Sequence, residues 1–176
     1  VATPIGNLGD LSPRAADALR TASIVLCEDT RHSRPLLDRV GAKGRPVSCH
    51  AHNESARIEE VVAALQHGEN VTLVTDAGSP ALSDPGGRIV EAVAARGLTV
   101  EVLPGPSALV AALMGAGIDT ARFAFLGFLP RRGRARRALL ADVLRAGFAA
   151  VVYEAPTRVA ATLTDLHEAL GARRVV

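Results

Sequence analysis

Acidic, imidazole and guanidinium side chains crowd together at several points of this chain. Glu28-Asp29-Thr30-Arg31-His32 sets two carboxylates, a cation and an imidazole within five residues. Such groups at a cleft can position a substrate or move a proton; the same residues also read as a structural ion-pair cluster, and the sequence leaves the two readings even. His50-Ala51-His52-Asn53-Glu54, preceded by Cys49, carries two histidines at alternate positions. Alternate residues of a strand share a face, but two imidazoles fall short of the ligand set of a metal site, so no metal is expected. Asp76 to Gly87 holds Asp76 and Asp84 among prolines, serines and glycines, directly after the β-branched run from Val71. Pro104-Gly105-Pro106-Ser107 opens a helical pattern whose free amides suit a ligand carboxylate. Finally, Arg131-Arg132-Gly133-Arg134-Ala135-Arg136-Arg137 places five arginines in seven residues. A cationic helix start opposes the macrodipole, so this run reads as a phosphate-contacting patch. No aromatic residue interleaves it, and base stacking is not implied.

The elements that must position these groups alternate between short apolar runs and helical patterns. Val1-Ala2-Thr3 reads as the tail of a first strand. Strands are expected at Ser23 to Cys27, Pro46 to Cys49, Val71 to Val74 and Thr99 to Leu103. Helices are expected at Pro13 to Thr21, capped by Ser12 with Pro13 in the first position, then at Ser33 to Val40, Glu54 to His67, Arg88 to Arg96 and Ser107 to Met114. In the third of these, Ile58, Val61, Val62 and Leu65 recur at helical spacing. Such β-α alternation predicts an α/β fold, a parallel sheet with flanking helices. Every loop that follows a strand then lies on one edge of the sheet, where ligands bind in such folds. Gly115 to Ala121 reads as a boundary. Beyond it come a strand at Phe123 to Leu126, a helix from Arg134 to Arg145, a strand from Ala149 to Glu154, a helix from Arg158 to Leu170 and a strand beginning at Arg174. The expectation is an N-terminal α/β domain over residues 1–117 and the first part of a second, truncated α/β domain over 118–176.

Composition sets the limits. The chain has 176 residues, 48% of them hydrophobic and only 3% aromatic, so its core must be aliphatic. Two cysteines, Cys27 and Cys49, sit in apolar surroundings, which suits a reducing compartment better than a disulfide framework. No run is long enough to span a membrane, and no signal-peptide pattern appears. The first residue is Val1 and the last, Val176, stands within an apolar run, so both ends read as truncated. The net charge is +2, and Lys43 is the only lysine among 20 basic residues. That argues against Schiff-base chemistry and against a Walker-type phosphate lysine. No Gly-x-Gly-x-x-Gly follows a strand, and there is no P-loop.

Taken in order, several loops resemble a known family. Thr3-Pro4-Ile5-Gly6-Asn7-Leu8, Glu28-Asp29-Thr30-Arg31-His32, Asp76-Ala77-Gly78-Ser79-Pro80 with Asp84-Pro85-Gly86, Pro104-Gly105-Pro106-Ser107-Ala108, Gly127-Phe128-Leu129-Pro130 and Tyr153-Glu154-Ala155-Pro156 with Arg158 are together similar to the ribosomal RNA small subunit methyltransferase I family, within the tetrapyrrole methylase superfamily. The resemblance spans essentially the whole chain. It implies S-adenosylmethionine-dependent 2′-O-methylation of a cytidine ribose in 16S rRNA, with the rRNA or the 30S subunit as substrate. It further implies a cytoplasmic homodimer and a cofactor held between two domains.

Carried over by position, the resemblance implies a cofactor site formed by Pro4, Ile5, Asp76, Gly78, Ser79, Leu82, Ser107, Ala108 and, from the second domain, Tyr153. The reaction needs an acceptor for the ribose hydroxyl proton. Glu28, Asp29, His32 and Glu154 are the candidates, and the sequence does not choose among them. Asp76 and Asp84 read as loop-shaping groups. Arg31, Arg131, Arg132, Arg134, Arg136 and Arg137 would neutralise RNA phosphates. Three other readings compete. A precorrin-type tetrapyrrole methyltransferase would share fold and cofactor, but its usual glycine-rich first loop is replaced here by Thr3-Pro4-Ile5-Gly6-Asn7-Leu8. The others are a diphthamide-pathway methyltransferase and a non-enzymatic RNA-binding module, which would have no affinity for the cofactor.

Overall fold

A computed structural model describes residues 1–176, with the side chains of Leu144 and Ala146 set aside. The chain divides into two compact units, Val1–Ala108 and Leu109–Val176. The first contains α1 (Pro13–Thr21), β1 (Ile24–Cys27), α2 (Thr30–Val40), β2 (Arg45–Ser48), α3 (Glu54–Gln66), β3 (Val71–Leu73) and α4 (Gly87–Ala95). Helix α5 (Ala108–Gly115) starts at its last residue. The second unit holds β4 (Phe123–Phe128), α6 (Arg134–Ala146), β5 (Ala149–Tyr153) and α7 (Val159–Leu170). Among the described residues no helix is long and apolar enough to cross a membrane.

In the first unit three strands lie parallel in the order β2-β1-β3, with Cys27 opposite Ser48 and Leu26 opposite Leu73. All four residues of β1 are buried, as expected of a central strand covered on both faces. Alternation sends Ile24 and Leu26 to one face, where they meet Val47, Val61, Val62, Ile89 and Val93 from β2, α3 and α4. Val25 and Cys27 point to the other face and pack with Leu19, Leu36 and Leu37 from α1 and α2. Burying each of these aliphatic side chains contributes about 1.5–3 kcal/mol, so two aliphatic layers hold the sheet without aromatic help.

Helix α1 begins as its sequence predicts: Ser12 Oγ accepts from the Ala15 amide at 3.1 Å. Helix α2 starts at Thr30 rather than Ser33, because the Asp29 carboxylate accepts from the Arg31 amide at 2.8 Å and caps it. Arg31 and His32 are therefore first-turn helical residues, not loop residues. Three expected strands do not form. Val1 to Thr3 makes only an isolated antiparallel bridge, from Thr3 to Gly78. Thr99 to Leu103 has no ladder; only the Leu103 carbonyl is engaged, by the Ala2 amide at 3.3 Å. A cavity of about 820 Å³, lined by Val71, Leu73, Leu98, Val100 and Val102, occupies the place where a partner would run. Strand pairing needs a neighbour at about 4.8 Å, and Val1–Thr3 reaches only its end. Nor does a strand begin at Arg174: residues 171–176 have no regular structure.

In the second unit β4 and β5 pair in parallel, with Phe123 opposite Ala149 and a register shift between Phe125 and Phe128. Gly127, at φ +58°, supplies the left-handed turn inside that shift. Helices α6 and α7 complete the unit.

Candidate active site

The carboxyl edge of the first unit's sheet is cross-tied by side chains. Where β3 ends, Thr75 Oγ1 donates to Glu28 Oε2 at 3.0 Å. Asp76 Oδ1 accepts from the Asp29 amide at 3.1 Å. The loops after β1 and β3 thus hold each other, which the spacing of the sequence does not reveal. Asp84 joins this group. Burial pushes its carboxyl up, and the nearby charges of Glu28 and Asp76 push the same way, against a Thr75 hydrogen bond.

The four base candidates separate on this geometry. Asp29 Oδ1 accepts from the Arg31 amide and from Nε at 3.1 Å, and Oδ2 accepts from Nη2 at 2.9 Å. These Arg31 hydrogen bonds hold its carboxyl down at about 2, which makes it a weak proton acceptor. Glu154, in the second unit, accepts from the Thr162 hydroxyl at 2.7 Å and the Ala155 amide at 2.8 Å, and pairs with Arg158 at 2.5 Å. The Thr162 bond, ahead of the others, keeps it below the ordinary carboxylate range. Both carboxylates are committed to local structure. Glu28 is half-buried and His32 exposed.

Three loops of the first unit converge on Gly78. The Thr3 amide donates to the Gly78 carbonyl at 2.8 Å, and the Gly78 amide returns a bond to the Thr3 carbonyl at 3.1 Å. Thr3 Oγ1 donates to the Thr75 carbonyl at 3.2 Å, and Ser79 Oγ to the Pro106 carbonyl at 3.5 Å. Gly78 lies at φ +83°, and a Cβ there would stand 3.6 Å from Ile5 Cγ2 and 3.9 Å from the Pro106 oxygen. A side chain would fill the space that these loops leave. Pro4, Asp76, Ser79, Leu82 and Ser107 are half-buried around it, while Ile5 and Ala108 are exposed. The backbone groups of Thr3 and Gly78 satisfy each other, so these bonds fix the shape of the loops around Gly78. Tyr153 belongs to the second unit; its hydroxyl accepts from the Leu109 amide at 3.2 Å, and its ring meets those of Phe125 and Phe128 edge-on at 4.9 and 5.6 Å.

A cleft of about 440 Å³ shares residues with these loops. Thr3, Pro4, Arg31, His32, Thr75 and Asp76 line it, with Leu8 and Leu36 at its apolar side. Arg31 is exposed there, although its guanidinium is already engaged by Asp29. At His50 and His52 the rings meet edge-on at 6.0 Å. Among the described residues no group of three or more His, Cys, Asp or Glu side chains could hold a metal ion.

The arginine run divides. Arg131, Arg132, Arg134 and Arg137 are exposed. Arg136 is 6% exposed, its guanidinium donating to Asp165 at 2.8 Å, the Pro130 carbonyl at 2.9 Å and Thr162 Oγ1 at 3.2 Å. The helical repeat explains this: Arg136, Leu140 and Val143 occupy one buried stripe of α6. The expectation that Arg136 contacts phosphate is therefore corrected; it ties α6 to α7.

Two residues at this edge have roles that the sequence does not announce, Thr75 and Glu54. Thr75 is the last polar β-branched residue of its run, a faint signal. Glu54 Oε1 accepts from the amides of Gly86 at 2.9 Å, Arg88 at 2.8 Å and Ile89 at 3.4 Å. No local pattern could reveal a carboxylate that caps a helix 32 residues away.

The family model for Tetrapyrrole (Corrin/Porphyrin) Methylases matches residues 1–176. The chain belongs to the tetrapyrrole methylase family. Curated relatives of this tetrapyrrole methylase include the ribosomal RNA small subunit methyltransferase I of Xylella fastidiosa strain Temecula1, 47% identical over 99% of this chain and 64% of the relative. Its namesake from Synechocystis is 45% identical over 99% of this chain and 62% of the relative. The chain thus spans somewhat under two thirds of the length of these relatives. Among solved structures, the methyltransferase CobJ matches with a TM-score of 0.67 at 21% identity, covering 93% of this chain and 72% of that one. Uroporphyrin III C-methyltransferase from Thermus thermophilus matches with a TM-score of 0.64 at 21% identity, covering 98% and 76%. These two likenesses establish the tetrapyrrole methylase fold.

Proposed function

We propose that the protein of which this chain is part is an S-adenosylmethionine-dependent methyltransferase that modifies the 2′-hydroxyl of a cytidine in 16S rRNA of the small ribosomal subunit. The observation that carries the reading is the cleft lined by Arg31 and His32, which shares Thr3 and Asp76 with the loops that converge on Gly78. The names of the relatives supply the substrate class. The same reading includes a cytoplasmic homodimer acting on 16S rRNA or the 30S subunit.

In this reading Pro4, Ile5, Asp76, Gly78, Ser79, Leu82, Ser107, Ala108 and Tyr153 hold the cofactor, which when bound supplies an electrophilic methyl group. The chain's own task is alignment and proton removal. Holding the ribose hydroxyl in line is worth orders of magnitude in rate, and the cleft between Pro4 and His32 is the place for that ribose. With Asp29 and Glu154 engaged in ion pairs, Glu28 and His32 remain to accept the hydroxyl proton. Exposed Arg131, Arg132, Arg134 and Arg137 neutralise RNA phosphates, and Arg31 contributes charge at the cleft.

Methyl transfer from labelled S-adenosylmethionine by the full-length protein tests this, offered in parallel to 30S subunits, free 16S rRNA and a reduced tetrapyrrole. Label in the RNA, lost when the 2′-position is already methylated, is the expected outcome. Label in the tetrapyrrole alone would overturn the substrate assignment, and absent cofactor binding would leave an RNA-binding module.

A further inference from the structure

The loop from Asp76 to Gly86 is held in a conformation that its own residues disfavour. Ala81 and Ser83 lie at φ +65° and +67°, a region that L side chains rarely adopt, and Gly78 and Gly86 are also at positive φ. The two glycines adopt such angles freely, but the two non-glycine residues persist there only where the surroundings over-determine them. At its start the loop is tied by Thr75 to Glu28 and by Asp76 to the Asp29 amide. Its end lies at the start of α4, whose cap residue Gly86 has no side chain to offer.

Glu54 supplies that cap from another helix. Its carboxylate is buried, 6% exposed, and one oxygen accepts from three donors at the start of α4. Glu54 is itself the first residue of α3. The amino termini of α3 and α4 therefore converge on one carboxylate, and both macrodipoles favour a negative charge there. Close packing reinforces the arrangement: a Cβ on Gly86 would approach Leu73 Cδ2 to 2.3 Å.

We propose that Glu54 is the positioning residue of the cofactor loop: by capping α4 it holds Asp76–Gly86 in the strained form that presents Gly78, Ser79 and Leu82 to S-adenosylmethionine. This rests on the cofactor reading above. Glu54 touches no reacting atom. It acts by keeping the receiving conformation populated, and an apparent dissociation constant rises in proportion as that population falls.

The test uses full-length wild type, Glu54→Ala, Glu54→Asp and Glu54→Gln, with calorimetric titration of S-adenosylmethionine and steady-state methyl transfer. Glu54→Asp keeps the charge but withdraws it by one methylene, and it covers the case in which Glu54→Ala fails to fold. The expected result is a dissociation constant and a KM for the cofactor raised about tenfold, as for a receiving form populated a tenth as often, at unchanged stoichiometry and nearly unchanged kcat. Glu54→Gln, which keeps the Oε1 acceptor, recovers most of the affinity. A purely structural role would instead lower the stoichiometry of binding or the kcat and leave the affinity of the folded fraction alone. Wild-type affinity in folded Glu54→Ala and Glu54→Asp overturns the proposal while the cofactor reading stands. A wild-type protein that binds no S-adenosylmethionine overturns both.

Discussion

Single side chains here are decided by what they face. Asp29, depressed from 3.8 to about 2 by Arg31, favours the folded state when ionised. Its contribution is fully present above about pH 4 and is lost as pH falls through 2. Carboxyl-carbon NMR should show Asp29 titrating near 2, and Arg31→Ala should return it to the ordinary carboxylate range. Cys49 is displaced in the other direction. Burial first, then the Glu54 charge, raises its thiol from 9.0 to about 11. Its neutral form suits the fold, so its contribution holds below pH 9 and fades as pH rises through 11. A thiol reagent at pH 8 is expected to modify Cys49 only as fast as the protein opens; rapid labelling of the native protein would contradict this. The chemistry-bearing residue types are legible in the sequence, whereas their commitments are not. Asp29 and Glu154 read as free bases until their partners, Arg31, Thr162 and Arg158, are seen in space.

At the level of elements, the run from Arg131 to Arg137 is two things at once. Four of its arginines are exposed, and in the proposed function they face RNA phosphates. Replacing Arg134 and Arg137 with alanine should weaken RNA binding and reduce the salt slope by roughly 0.7 for each single-strand phosphate left without its arginine. Cofactor affinity should stay as it was. Arg136→Ala belongs to a different class: it removes the donor to Asp165, Thr162 and the Pro130 carbonyl, at a cost of about 1–3 kcal/mol in chemical denaturation. Gly86→Ala should cost about 1–3 kcal/mol, from overpacking against Leu73 together with a φ of +120°. Periodicity and capping make most elements readable, α1 and α3 nearly to the residue. The sequence pattern starts α2 three residues late because Asp29, inside an apparent loop, is its cap. The apolar alternation of Thr99 to Leu103 is real, but a strand exists only with a neighbour, and no local pattern states where that neighbour runs.

As a whole, the molecule relies on aliphatic layers on both sides of β1. Leu26→Ala, in the middle of the sheet, should cost about 2–5 kcal/mol measured by urea unfolding, more than any surface change proposed here. The ordered set of loops carries the family from sequence alone; those after β1 and β3 sit at strand ends, while those after Thr3 and Leu103 follow segments that form no strand. What escapes is the coupling between loops, which depends on bonds between distant residues. The Thr3–Gly78 pairing is the sharpest case, two partners 75 positions apart. Closing so long a segment is entropically costly and tends to slow folding. During synthesis these loops therefore cannot meet when Thr3 leaves the ribosome; they wait for Gly78, and for Pro106 after that. The convergence of loops on Gly78 is among the last parts of the nascent first unit to be able to form, so a chain stalled before Pro106 carries its whole three-stranded sheet yet lacks the tie from Ser79 to Pro106.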